Sequence, residues 1–186
     1  MASSKLKPKL TELTTPIASL IGRYFKPNHL TIIGLIFGIF AFFLILRGNI
    51  IYGAIFVLLS GIFDFLDGVV ARTQKMVTNF GGFLDSVVDR YVDVLIFIAF
   101  GIYGLSWLIV AVAMSGALLV SYTRAKAESI IEKCDVGIAE RGERMIILFL
   151  AMLTGYIYEG LVLIAVLAHI TALHRVFYTY KRSRIN

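Results

Sequence analysis

Cysteine, charged residues and interdomain linkers are all scarce in this sequence, and each shortage narrows the class of protein. The 186 residues include one cysteine, Cys134, which excludes a disulfide within the chain and fits a reducing compartment. Only 16% of the residues are charged and 59% are hydrophobic, more than a soluble domain of this length can bury. No Pro-, Gly- or Ser-rich stretch divides the chain. The composition therefore predicts an integral membrane protein with a single domain over residues 1–186.

Long uncharged runs supply the transmembrane helices. They predict an all-α protein with six spans. The uncharged stretch 94–123 is too long for one span, and Tyr103-Gly104-Leu105-Ser106 divides it into two. A further turn is predicted at Glu159-Gly160. The predicted spans cover about residues 30–46, 50–72 and 81–103, a fourth that ends near 123, then 144–158 and 161–180.

Basic residues lie almost entirely on one side of these spans. Of the 18 lysines and arginines, 17 lie before the first span, in or beside the 2–3 and 4–5 loops, or at the end of the last span. Only Arg47 lies on the opposite side. Cytoplasmic loops carry such an excess of Lys and Arg. The sequence therefore predicts a multi-pass protein of the cell membrane with both termini in the cytoplasm.

An amphipathic segment precedes the first span. Apolar residues recur every three or four positions from Leu6 to Tyr24, with lysines on the other face. This pattern is typical of a helix lying in the cytoplasmic interface, so residues 1–27 are assigned to it and residues 28–186 to the six-helix bundle. A helix that packs against the bundle fits the same pattern equally well.

Four carboxylates stand out in DFLDGVVARTQKMVTNFGGFLDSVVDR, residues 64–90. Asp64 and Asp67 are three residues apart, and Asp85 and Asp89 are four apart, so each pair shares one helix face. A short loop lets the two faces meet near the cytoplasmic surface. Such a cluster repels itself unless protons or cations neutralise it. Carboxylate-only clusters suit hard divalent cations, and two such ions suit phosphoryl chemistry.

Small residues and an arginine accompany these acids. Gly68, Gly81 and Gly82 remove side chains beside the carboxylates and make room for a ligand or for close helix packing. Arg72 adds a fixed positive charge that suits a phosphate. The combination favours a phosphoryl-transfer site over purely structural acids.

The complete motif, Asp64-x2-Asp67-Gly68-x2-Ala71-Arg72-x8-Gly81-x3-Asp85-x3-Asp89, resembles the signature of the CDP-alcohol phosphotransferases, with every fixed position present. The resemblance implies that a lipid activated as its CDP ester gives its phosphatidyl group to an alcohol and releases CMP. It also implies a six-helix membrane fold with an interfacial helix, a metal site open to the cytoplasm, and a homodimer.

The resemblance also implies roles for individual residues. Asp64, Asp67, Asp85 and Asp89 would bind divalent metal, and Asp89 would also act as the general base on the acceptor hydroxyl. The metal would be Mg²⁺, with Mn²⁺ as the alternative, and two ions would occupy each site. The residues implied to hold the CDP-lipid are Asn28, Thr31, Gly68, Ala71, Arg72, Thr78 and Gly81.

The signature identifies the donor and leaves the acceptor alcohol open. Residues 121–128 and 137–144 resemble the branch that accepts inositol 1-phosphate, the phosphatidylinositol phosphate and archaetidylinositol phosphate synthases. A phosphorylated acceptor needs cations, and Arg124, Arg141 and Arg175 lie at cytoplasmic ends of spans. The positive-inside bias explains the same arginines without a phosphate. Glycerol 3-phosphate is the alternative acceptor, which would make phosphatidylglycerophosphate.

A cation or proton transporter would also place acids in membrane helices. Its acids should lie near mid-membrane, in discontinuous helices or repeated halves. Here they lie toward one face in one uninterrupted motif, which favours an enzyme. The predicted partners are a CDP-lipid, a phosphorylated polyol, membrane lipids and a second copy of the chain, with no nucleic acid. Ester or ether lipid tails, the dimer interface and the role of Asp93 stay open.

Overall fold

The structure, a computed structural model, describes Pro16 and residues 18–184. All regular secondary structure in this part of the chain is α-helical, as the sequence predicts. A helical turn at residues 18–21 precedes six long helices. These are α1 (Pro27–Leu46), α2 (Ile50–Thr73), α3 (Asn79–Tyr103), α4 (Trp107–Ala127), α5 (Arg141–Thr154) and α6 (Ile157–Ser183).

Four of these helices are long and apolar enough to cross a membrane, namely α1, α2, α4 and α6. Helix α3 has 25 residues, but Asp85, Asp89, Arg90 and Asp93 interrupt its apolar sequence. Helix α5 has 14 residues, which is about 21 Å of helix against a hydrocarbon core of about 30 Å. Length and composition thus identify a membrane protein with four candidate spans among the six predicted.

Glycines with positive φ follow both α3 and α5. Gly104, with φ of +118°, follows α3 where the sequence predicts a break. The turn predicted at Glu159-Gly160 is wrong, because α5 ends before Gly155, with φ of +81°, and α6 begins at Ile157. Gly160 is instead a packing residue. A Cβ there would lie 2.5 Å from the Cβ of Ala151, so its absence lets α5 and α6 approach closely.

Replacing Gly160 with alanine is expected to destabilise the protein by about 1–3 kcal/mol, because the Cβ of Ala151 must move to admit a methyl group. Gly142→Ala is the matched control, since Gly142 also lies in a helix and its Cβ position has no neighbour within 4 Å among the described residues. Thermal unfolding in detergent measures the effect. Equal midpoints for the two variants would contradict the packing role of Gly160.

The chain divides into two compact units, Met1–Ile96 and Phe97–Asn186, with the division inside α3. In the first unit α1 packs along α2, and the Ser60 hydroxyl donates a buried 2.8 Å hydrogen bond to the Gly34 carbonyl. In the second unit α4 and α5 both pack against α6. The single domain over residues 1–186 stays a prediction.

The predicted interfacial helix is described only at its C-terminal end, because residues 1–15 and Ile17 lie outside the described part of the chain. Ala18 is fully buried and packs with Leu30, Val69 and Val70 of α1 and α2. On the other side of the same segment, Leu20 is 58% exposed and Tyr24 is 78% exposed. This end therefore packs against the first unit and also presents apolar side chains outward.

Candidate metal and phosphate site

Three of the four predicted aspartates meet in the first unit. Asp64 of α2 and Asp85 and Asp89 of α3 each contribute one carboxylate oxygen to a group whose members all lie within 4.8 Å of one another. The i,i+4 spacing places the two α3 acids on one face. Only residues 74–78 separate α2 from α3, which brings Asp64 to the same place. All three side chains are partly buried.

This carboxylate group fits a divalent cation. Two oxygens on opposite sides of an octahedral Mg²⁺ lie about 4.2 Å apart, twice the metal–oxygen distance of about 2.1 Å. A separation of at most 4.8 Å therefore closes with small side-chain rotations. An all-oxygen set of ligands is also what hard cations prefer. A bound cation would offset the mutual repulsion of three partly buried carboxylates.

The fourth aspartate faces α1 instead. Asp67 is 5% exposed, and its Oδ2 accepts a 2.5 Å hydrogen bond from the Thr31 hydroxyl. It does not belong to the group of three that lie within 4.8 Å of one another among the described residues. The metal role of Asp67 stays a prediction, and the Thr31 hydroxyl is a partner that sequence reasoning did not assign to it.

Several residues predicted to hold the CDP-lipid gather at the ends of these helices. A Cβ on Gly81 would lie 3.0 Å from Thr78 Oγ1 and 3.2 Å from Asn28 Oδ1, so these three residues are close neighbours. The N–H of Gly81 also donates to Thr78 Oγ1 at 3.0 Å. The first turn of α1 therefore lies beside the start of α3.

Arg72 lies over the glycine that precedes it by one turn. A Cβ on Gly68 would be 3.1 Å from Arg72 Nη1 and 3.6 Å from Nη2. The missing side chain thus leaves space for a guanidinium along the surface of α2. Arg72 is exposed and Ala71 is partly buried, so the arginine is accessible to a phosphate.

In the second unit, two of the three predicted phosphate-binding arginines share one carboxylate. Glu140 Oε1 lies 3.5 Å from Arg124 Nη1 and 3.4 Å from Arg175 Nη2. Arg124 also reaches Glu128 at 3.1 Å and Asp135 at 3.3 Å. Arg141, the third arginine, follows Glu140 directly as the first residue of α5. The segment that resembles the inositol phosphate branch therefore carries acids as well as the predicted cations.

Arg175 differs from Arg124 in its surroundings. It is 1% exposed, and it donates to the Val136 carbonyl at 2.8 Å and to the Val120 carbonyl. One turn earlier on α6, buried Thr171 accepts the backbone N–H groups of residues 138 and 139, each at 3.1 Å. Arg175 and Thr171 thus attach the α4–α5 connection to α6. Sequence reasoning missed Thr171, whose only signal was its i,i+4 spacing to Arg175.

These observations define a class of protein. It is a helical membrane protein in which acids of two consecutive helices form a group suited to a divalent cation. An arginine on one of these helices suits a phosphate. The model of the CDP-alcohol phosphatidyltransferase family matches residues 24–176. The chain belongs to this family, as its carboxylate motif predicts.

Named relatives agree with this assignment. The chain is 37% identical over 182 residues to an archaetidylinositol phosphate synthase of Pyrococcus horikoshii, covering 96% of this chain and 97% of the relative. It is 35% identical over 159 residues to a phosphatidylinositol phosphate synthase of Mycobacteroides abscessus, covering 80% and 70%.

A solved structure shares the fold. The crystal structure of Mycobacterium tuberculosis phosphatidylinositol phosphate synthase with CDP-DAG bound matches with a TM-score of 0.78 at 28% identity, covering 91% of this chain and 94% of that one. A second crystal structure of that synthase is a complex with manganese and citrate, with a TM-score of 0.78 at 29% identity, covering 90% and 88%.

Proposed function

We propose that the protein transfers a phosphatidyl-type group, built on diacylglycerol or archaeol, from a CDP-lipid to inositol 1-phosphate and releases CMP. The observation that carries the proposal is the carboxylate group of Asp64, Asp85 and Asp89 within 4.8 Å, in a chain of the CDP-alcohol phosphatidyltransferase family. Two relatives named as inositol phosphate lipid synthases and a structural neighbour that binds CDP-DAG support the donor and the acceptor.

The donor is held by residues of the first unit. Arg72 presents a planar fork of N–H donors that suits the diphosphate, and Gly68 gives it room. Thr78 and Asn28 offer polar atoms beside Gly81, where any larger residue would crowd these two side chains. Ala71 completes the proposed donor set. The family resemblance also implies Thr31, but its hydroxyl donates to Asp67.

Asp89 performs the proton transfer. The acceptor hydroxyl oxygen attacks the phosphorus that bears the lipid, and the bond from that phosphorus to the bridging oxygen breaks. CMP leaves with the electron pair, and the hydroxyl proton passes to the Asp89 carboxylate. Two divalent cations, Mg²⁺ or Mn²⁺, when bound neutralise the diphosphate and the leaving group. The four aspartates of the motif, Asp64, Asp67, Asp85 and Asp89, would hold them.

The acceptor phosphate is assigned to Arg124, Arg141 and Arg175. Replacing Arg124 with alanine is expected to raise the KM for inositol 1-phosphate by about 10- to 100-fold, because a hydrogen bond to a charged group contributes about 1.5–3 kcal/mol. Steady-state CMP release at varied acceptor measures this. Arg182→Ala is the control, since that guanidinium lies 5.6 Å from the Tyr178 ring centroid on the C-terminal turn of α6. An unchanged KM in Arg124→Ala would contradict the assignment.

An acceptor panel tests the reaction itself. Purified protein with CDP-lipid and Mg²⁺ is given inositol 1-phosphate, glycerol 3-phosphate, serine or inositol, and CMP release is measured. We expect turnover with inositol 1-phosphate. Turnover with glycerol 3-phosphate alone would establish the alternative acceptor. No CMP with any acceptor, combined with cation flux in proteoliposomes, would replace the enzyme with a transporter.

We also propose that all six helices cross the cell membrane, with both termini and the site on the cytoplasmic side, and that the protein is a homodimer. The charges that distinguish α3 from the four candidate spans include the site aspartates Asp85 and Asp89. The role proposed for these aspartates in the reaction therefore explains why α3 carries charges, and α3 need not lie outside the membrane. The placement of 17 of 18 basic residues supports the orientation.

A further inference from the structure

The geometry points to Thr31 as a positioning residue that orients the Asp67 carboxylate for binding a divalent cation, in place of the direct contact with the CDP-lipid that the family resemblance implies. This inference rests on the metal-dependent function proposed for the same site. It concerns the binding of the cation alone, so it does not depend on which alcohol is the acceptor.

The hydrogen bond between Thr31 and Asp67 is short and buried. Thr31 Oγ1 lies 2.5 Å from Asp67 Oδ2 and 3.3 Å from the Pro27 carbonyl oxygen. A hydroxyl has one proton, and the shorter distance is in the range of O–H···O⁻ bonds, so the proton is donated to the carboxylate. The bond to the carbonyl four residues earlier, which any helical threonine can make, is the weaker of the two.

Both side chains are buried from solvent. Thr31 and Asp67 are each 5% exposed. Because the one proton of the Thr31 hydroxyl is given to the Asp67 carboxylate, this hydroxyl has no proton to donate to a nucleotide. Asn28, in the preceding turn, is partly buried and lies next to Gly81, so it is the better donor contact of the two residues.

The position of the hydroxyl is set by the close crossing of α1 and α2. One turn beyond Thr31, a Cβ on Gly34 would lie 3.4 Å from the Ser60 carbonyl oxygen. The Ser60 hydroxyl donates to the Gly34 carbonyl at 2.8 Å. Ser60 and Asp67 are seven residues apart and therefore share one face of α2. Thr31 is β-branched, so its side chain has few rotamers in which to move away.

The consequence for metal binding follows from the place of Asp67 in the motif. It lies one turn from Asp64, whose carboxylate is within 4.8 Å of those of Asp85 and Asp89. Holding one oxygen of Asp67 fixes the plane of its carboxylate, and therefore the direction of the other oxygen. Ligating carboxylates are commonly oriented by such hydrogen bonds, and losing one costs about 10- to 100-fold in metal affinity.

The test is Mn²⁺ binding to the purified full chain without nucleotide, followed by electron paramagnetic resonance of free Mn²⁺. Thr31→Val, which keeps the shape and removes the hydroxyl, is expected to weaken Mn²⁺ binding by about 10- to 100-fold. Thr31→Ser, which keeps the hydroxyl, is expected to restore binding to within about threefold of the unmodified protein. Thr31→Ala carries the same expectation as Thr31→Val and serves if the valine variant fails to fold.

A double variant separates positioning from a general structural effect. If Thr31 acts through Asp67, adding Thr31→Val to Asp67→Asn weakens Mn²⁺ binding no further. Additive losses would overturn the inference, as would normal Mn²⁺ binding in Thr31→Val together with a raised KM for CDP-lipid at saturating metal. If the unmodified protein binds no Mn²⁺, the proposed metal site itself is refuted, and the inference with it. A failed acceptor panel would leave the Mn²⁺ measurement unaffected.

Discussion

Replacing Asp89 with asparagine is expected to lower the rate of CMP release by at least about 10²- to 10⁴-fold, the contribution of a general base. Asparagine has nearly the same shape as aspartate but cannot take the proton of the acceptor hydroxyl. It is also a weaker ligand in the group that Asp89 forms with Asp64 and Asp85. The measurement is steady-state CMP release at saturating CDP-lipid, inositol 1-phosphate and Mg²⁺.

Two controls interpret this loss. Asp93→Asn makes the same change one turn further along α3, outside the group of three that lie within 4.8 Å of one another among the described residues, and is expected to keep the rate within about tenfold. Mn²⁺ binding by the Asp89→Asn variant then distinguishes the role of Asp89 as general base from its role as metal ligand. Retained binding with a lost rate indicates the base, and lost binding indicates the ligand. Full activity of Asp89→Asn would refute the base assignment.

The carboxylate site could be read from the sequence because helix geometry converts spacing into position. Acids four residues apart share a face in any helix, and the short connection between α2 and α3 leaves few ways to separate Asp64 from Asp85 and Asp89. The motif could not show that Asp67 differs from the other three acids. That difference arises from α1, whose Thr31 is 36 residues away in the chain.

The second unit shows more strongly that a sequence pattern does not reveal contacts between distant segments. The sequence marks Arg124 and Arg175 only as cations near the ends of spans. Burial of Arg175 depends on the carbonyls of Val120 and Val136, which come from α4 and from the α4–α5 connection. Periodicity within one helix carries no information on such contacts. The fold therefore gives Arg175 a structural task in addition to the phosphate role proposed for it.

The turn between the last two helices was predicted at Glu159-Gly160 instead of at Gly155, and the reason is local. Gly155 and Gly160 both interrupt an apolar region, and composition alone does not distinguish a glycine that ends a helix from one that lets two helices approach. In the structure, the positive φ of Gly155 identifies it as the residue that ends a helix. The closeness of Ala151 identifies Gly160 as the residue that lets two helices approach. Helix existence was thus predictable here, whereas the boundary required the packing partner.

Removal of divalent cations is expected to lower CMP release by more than about 10³-fold. The diphosphate of the donor and the three carboxylates within 4.8 Å are all anionic, and a bound cation contributes several kcal/mol of charge stabilisation in such a site. Protein dialysed against EDTA is assayed for CMP release, and then again after addition of Mg²⁺ or Mn²⁺. We expect both ions to restore the rate, because both accept octahedral oxygen ligands.

Two further measurements connect this loss to the aspartates. A cation that binds only the folded state raises the unfolding temperature, so Mn²⁺ is expected to stabilise the unmodified protein and to leave Asp85→Asn unchanged. Ca²⁺ is the matched ion, since it has the same charge but needs longer bonds of about 2.3–2.6 Å and more ligands. It should therefore restore CMP release less well than Mg²⁺. CMP release that persists in EDTA would mean that the carboxylates of α2 and α3 tolerate their repulsion by another means, and that the reaction proceeds without a metal.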